Sequence, residues 1–127
     1  MTLLTYVLIL KIAISLLCLV APYLLLPSAR LDTITWLPKG TPLMYRLYGT
    51  AILALLVAYG SGNYSLAHGI FPWGIVLMGI VSNLGATAYM LMSQQRRALR
   101  GGIAFFGAIG LLLVAAALMP DVFSRPV

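Results

Sequence analysis

Four apolar runs, each close to the length that crosses a lipid bilayer, occupy most of this chain and decide what it can fold into. The first, Leu3 to Leu26, holds 24 residues with one charge. At ~1.5 Å per residue it reaches ~36 Å, enough to cross a ~30 Å hydrocarbon core with some tilt. Four such helices and their connections take up the 127 residues and leave no room among them for a soluble domain. The composition agrees, with 62% hydrophobic and 8% charged residues where a soluble domain carries about 25% charged ones. Mean hydropathy is +1.05. Disorder needs low hydrophobicity, a nucleic-acid-binding module needs a solvated basic face, and a disulfide scaffold needs paired cysteines, so all three are excluded. The expected architecture is an all-α, integral membrane four-helix bundle forming a single transmembrane domain over residues 1–127.

Proline, glycine and charge set the expected boundaries at 3–26, 42–60, 70–93 and 101–119. Pro27 ends the first helix, and Pro22 removes the amide that would bond the Cys18 carbonyl, which predicts a bend near the helix end. The second opens with Thr41 as N-cap and Pro42 at the first helical position, then runs to the turn residues Gly60, Ser61, Gly62 and Asn63. The third carries Pro72 in its first turn and stops at Gln94, Gln95, Arg96 and Arg97. The fourth ends at Met119, before Pro120 and Asp121. A cleaved signal peptide places positive charge ahead of its apolar core, whereas Lys11 falls inside the first run and no small-x-small site follows it cleanly. That segment is therefore expected to stay as a helix. The lone Cys18 makes no intrachain disulfide.

Loop charges give the threading. Arg30, Lys39 and Arg46 mark the first connection and Arg96, Arg97 and Arg100 the third, while the 60–69 connection has no Lys or Arg and the C-terminal tail has only Arg125. Short loops rich in Lys and Arg stay cytoplasmic, so the expectation is a multi-pass protein of the inner membrane with both termini outside, N-out/C-out. Tyr59, Tyr64, Phe71 and Trp73 around the outer loop, and Trp36 in the first inner one, read as headgroup anchors. Attraction to anionic lipid accounts for the net charge of +6 with the bilayer as partner and no nucleic acid. Asn63-Tyr64-Ser65 matches a glycosylation acceptor but lies too close to the expected membrane surface to serve as one.

The only acids, Asp32 and Asp121, fall in connections or tails. Proton-coupled carriers of this size use a membrane-embedded carboxylate, so proton antiport is disfavoured. Small four-helix multidrug exporters share this length and helix count, yet where they need an acid in helix one this chain has Lys11. An unpaired ammonium ~12 Å from the outer helix end costs ~2.5 kcal/mol or more. Two outcomes follow: the side chain snorkels to the outer headgroups, or it is buried against protein. Ser15, Cys18 and Pro22 continue its face at steps of four, three and four. With no acid of this chain at that depth, a buried Lys11 implies a group from another molecule.

On helix three, Gly79, Ser82, Asn83, Ala86 and Thr87 share one side, continued by Tyr89, Met90 and Ser93. Small residues let helices approach closely, so Gly79, Ser82 and Ala86 are packing positions, and Asn83 either packs or lines a ligand pocket. Tyr45, Arg46, Tyr48 and Thr50 of helix two lie at a depth comparable with Thr87 and Tyr89, which would give an inner-side polar cavity. There Arg46 either snorkels or holds a phosphate or carboxylate bidentately. Lys11, Arg46, Tyr48, Asn83 and Thr87 are thus the candidate ligand or partner contacts. Helix four shows Ala104, Gly107, Ala108, Gly110, Ala115 and Ala117, with Gly107 and Gly110 as packing positions. His68 stands alone as a surface residue, so no metal, haem or other cofactor is expected. A nucleophile–base–acid set is lacking, so no catalytic residue is assigned.

The end of helix one at Ala21-Pro22, the helix-two opening Tyr45-Arg46-Leu47-Tyr48-Gly49 and the four-helix total resemble the DoxX-like group of small bacterial membrane proteins. The likeness covers the architecture of most of the chain, with Arg46 and Gly49 as its local Arg-x-x-Gly motif. Lys11 is a departure from the pattern. Members are described as accessory subunits of membrane oxidoreductases or as proteins of unknown role. The resemblance therefore implies little chemistry. The favoured expectation is an accessory or structural subunit of a larger membrane complex or homo-oligomer, packing through the small-residue faces of helices three and four. The rival is a small membrane enzyme or binding protein for a lipophile such as a quinone, lipid or isoprenoid. A dimeric transporter is the least favoured.

Overall fold

The computed structural model of the chain describes residues 1–35, 42–93 and 96–127 and is helical throughout, with no strand among those residues. Four of its helices are long and apolar enough to cross a membrane: Leu3–Leu25, Leu43–Ala67, Trp73–Met92 and Arg100–Leu118. Trp36, Lys39, Thr41, Gln94 and Gln95, and the Asp32 side chain, lie outside the described part.

The first of these candidate crossings is three pieces end to end: α1 (Leu3–Ser15), a π-helical turn (Leu16–Val20) and α2 (Ala21–Leu25). Thr2 caps α1, its hydroxyl accepting from the Thr5 amide at 3.1 Å. The expected bend is realised as the π-turn, in which the Ala21 amide donates to the Leu16 carbonyl, five residues back. Pro22 has no amide for the Cys18 carbonyl, and the wider turn is how the chain accommodates that gap. It also shifts the buried stripe. Leu4, Val7, Leu8, Lys11 and Ser15 are buried at α-helical spacing, but the next buried residue is Val20, five further on. Cys18, expected on the same face, is exposed instead.

Beyond Pro27 the connection holds a short helix, α3 (Ser28–Thr35), and the second candidate crossing is α4 (Pro42–Ala67). This helix runs seven residues past the expected end at residue 60. Gly60, Ser61, Gly62 and Asn63 are helical because tertiary contact overrides their weak propensity: a Cβ on Gly62 would meet Ile75 at 3.1 Å and Leu8 at 3.2 Å. Gly69 then ends the helix with φ +74°, the Ile70 amide donating to the Ser65 carbonyl at 2.9 Å and that of Gly69 to Leu66 at 3.1 Å. That pattern is a Schellman cap, and it needs a residue at ease in the left-handed region.

α5 (Trp73–Met92) and α6 (Arg100–Leu118) form an antiparallel hairpin, followed by the short α7 (Pro120–Ser124). The two chain ends lie together. Thr2 and Pro126 form an isolated antiparallel bridge, and the Val127 amide donates to the Met1 carbonyl at 2.8 Å.

Candidate functional site

Lys11 is buried, with 5% of its surface exposed, so the snorkelling outcome is not the one adopted. Its ammonium lies over two rings of α6, 4.2 Å from the centre of Phe106 and 4.9 Å from that of Phe105. Cation–π attraction of this kind strengthens where water is absent, and the two rings do for the charge part of what a counter-ion would. They accept none of its N–H groups as an oxygen would. One turn on, the Ser15 hydroxyl is fully buried and has no hydrogen-bond partner. The sequence singled out Lys11 and Ser15; the rings that receive the ammonium were not foreseen, because the first and fourth crossings are far apart in the chain.

Asn83 is fully buried on α5. Its Nδ2 donates to the Gly79 carbonyl at 2.7 Å and to the Tyr59 hydroxyl at 3.1 Å, while its Oδ1 is buried without a partner. Tyr59, expected as a headgroup anchor, is instead wholly buried. It falls on the inward seam of α4, where Tyr45, Gly49, Ile52, Leu56, Tyr59, Gly62 and Leu66 recur at steps of three and four. Thr87 turns its hydroxyl back on its own helix, donating to the Asn83 carbonyl at 2.8 Å. Tyr64 and Trp73 are exposed, at 69% and 48%.

Arg46 does something the sequence did not suggest. Its guanidinium forks onto the end of the first crossing, Nη1 donating to the Tyr23 carbonyl at 2.5 Å and Nη2 to that of Leu26 at 2.8 Å. The Tyr23 carbonyl is orphaned because the residue four ahead is Pro27, which has no amide. Arg46 supplies the missing donors, so it is neither snorkelling nor open to a phosphate. Gly49, one turn along, lets the same surface come close: a Cβ there would lie 3.0 Å from Tyr23 Cβ and Leu24 Cδ2. Tyr45 stacks on Tyr23 at 5.7 Å, and Tyr48 meets it edge-on at 5.2 Å. The Arg-x-x-Gly pair is thus a clasp that closes the second crossing on the first.

The small residues of α5 and α6 face one another. A Cβ on Gly79 would lie 2.5 Å from Leu113, one on Gly110 2.5 Å from Leu84, one on Gly107 3.6 Å from Thr87, and one on Gly102 3.2 Å from the Met90 sulfur. The Ser82 hydroxyl donates to the Gly79 carbonyl at 3.3 Å, and Ala86 is half-buried. Gly79, Gly102, Gly107 and Gly110 are thus used inside the hairpin, whereas Ala104 and Ala108 of α6 stay exposed. The five contact candidates fall in three places: Lys11 against α6, Asn83 and Thr87 on α5, and Arg46 with Tyr48 at the clasp. Among the described residues no hydrogen bond or ring contact joins Arg46 or Tyr48 to Asn83 or Thr87. No group of His, Cys, Asp and Glu suited to a metal occurs among the described residues. The chain matches no known family, no curated protein and no solved structure.

Proposed function

We propose that this chain is a multi-pass protein of the inner membrane, with both termini outside, that acts as an accessory or structural subunit of a homo-oligomer or larger membrane complex. One observation carries it. α4 has a second, outward seam along its length, Leu43, Leu47, Thr50, Ala54, Val57, Ser61 and Tyr64, all exposed and again at steps of four and three. Steps of this kind suit a left-handed helix pair, and the small residues Thr50, Ala54 and Ser61 admit the close approach that drives association in lipid. Gly60, beside this seam, has nothing within 4 Å of where its Cβ would be. The resemblance to the DoxX-like group belongs to this proposal and points the same way. The test is Ala54→Cys in a Cys18→Ser background, oxidised in native membranes, together with mass measurement after mild extraction. A disulfide-linked dimer, or a larger partner in fixed ratio, is expected. A single uncrosslinked copy with no companion overturns the proposal.

A second reading, that the chain holds a lipophile such as a quinone, lipid or isoprenoid, is favoured by the Lys11 site. Lys11 and Ser15 bring buried donors together with no oxygen to accept from them. A carbonyl or carboxylate oxygen of an amphiphile would meet that need. Organic extraction of the purified protein should then release one lipophile in stoichiometric amount, lost in Lys11→Met; extraction of nothing but bulk phospholipid from the wild type overturns it.

A further inference from the structure

At the turn of the α5–α6 hairpin lies an open groove of about 350 Å³, lined by Leu91, Arg96, Arg97, Arg100, Ile103 and Ala104. Its rim carries three exposed guanidiniums and its wall is apolar. Among the described residues none of the three arginines has an ion-pair partner or donates a side-chain hydrogen bond. Asp121 is of no help to them, since it follows the far end of α6, ~28 Å away along a helix that Arg100 begins. Arg46, the arginine of the other clasped crossing, is committed to carbonyls; these three are not.

We propose that this groove is a binding site for an anionic phospholipid, with the phosphate held by Arg96, Arg97 and Arg100 and the start of an acyl chain laid along Leu91, Ile103 and Ala104. Each part of the lining selects a part of that ligand. Guanidinium matches phosphate oxygens bidentately, where an ammonium acts only as a point charge. The first turn of α6 adds the positive end of its dipole, and Gly101 leaves that turn uncovered, with nothing within 4 Å of where a Cβ would be. The apolar wall leads directly from the cations onto the flank of two helices long enough to cross a membrane, so a ligand with charge at one end and hydrocarbon at the other fits the groove along its length. A soluble anion would use the rim alone. A zwitterionic lipid would bring its own cation against the arginines. The site is independent of how the chain associates and of what meets Lys11.

Native mass spectrometry of the intact protein, titrated in detergent with phosphatidylglycerol and separately with phosphatidylcholine, reads occupancy directly. Phosphatidylglycerol should be retained preferentially. Each of Arg96→Gln, Arg97→Gln and Arg100→Gln should lower its occupancy about fivefold, the effect expected of one basic group near an anionic lipid. Arg30→Gln removes the same charge from another connection and should change it little. Ala104→Phe, which fills the wall without altering charge or a buried position, should also reduce retention, and millimolar inorganic phosphate should not displace the lipid. Equal losses in Arg30→Gln and the groove variants, showing delocalised charge rather than a site, overturn the proposal. So does full retention in Ala104→Phe, or displacement by phosphate, either of which leaves a headgroup-only anion contact.

Discussion

Arg46 shows how one side chain repairs a defect that proline creates elsewhere. Pro27 strips the Tyr23 carbonyl of its helical donor, and in lipid an unsatisfied carbonyl costs several kcal/mol. Arg46→Met should therefore destabilise the folded protein by ~3 kcal/mol, since each charge-assisted hydrogen bond is worth ~1.5–3 kcal/mol. Arg46→Lys, able to reach one carbonyl but not to fork, should lose roughly half as much; denaturant titration of the purified protein in detergent reads both. Two glycines of the hairpin seam are similarly constrained. At Gly110 a methyl would collide with Leu84 Cδ2 and Cγ at 2.5 and 2.9 Å, and at Gly79 with the fully buried Leu113 Cδ1 at 2.5 Å and the Tyr59 hydroxyl at 3.0 Å. Gly110→Ala and Gly79→Ala should each cost ~1–3 kcal/mol in the same titration. Residue types alone announced that Lys11, Asn83 and the glycines matter. What each would touch was not legible, because the Arg46 acceptors are backbone atoms and the Lys11 rings sit on the last crossing.

At the scale of elements, three of the four crossings start and stop within three residues of where proline and charge place them, and α4 does not. Gly60 to Asn63 look like a turn by composition, yet Leu66 behind them is buried and the Ser61 and Ser65 hydroxyls bond back to carbonyls of their own helix. The stop signal that holds is Gly69, alone among the described glycines in having positive φ. Gly69→Ala should cost ~1–2 kcal/mol, the penalty for a Cβ in the left-handed region, whereas Gly60→Ala on the open face should be neutral or slightly stabilising. Thermal unfolding of the two variants side by side checks the assignment. The π-turn is a comparable case. Pro22 signalled an irregularity, but not whether the chain would kink or widen; the π-turn and α2 both pack on α4, a partner that lies beyond Pro27 in the chain.

At the scale of the whole molecule, hydropathy marks four helices long and apolar enough to cross a membrane and leaves their arrangement open. What holds them is a clasp between the first and second, a glycine-lined seam between the third and fourth, and contacts between the two pairs that include Lys11 on the α6 rings, Asn83 on Tyr59 and Gly62 against Ile75. The bridge between Thr2 and Pro126 places both termini at one end, which an even number of crossings requires and an odd number forbids. The proposed direction, both termini outside, rests on the charge in the connections. Fusing a reporter active only outside the cytoplasm to each terminus in turn, with a cytoplasm-only reporter as its complement, is the most direct measurement of this arrangement. Both ends should score outside. Ends reporting from opposite sides would contradict four crossings, and both reporting from the cytoplasm would contradict the threading.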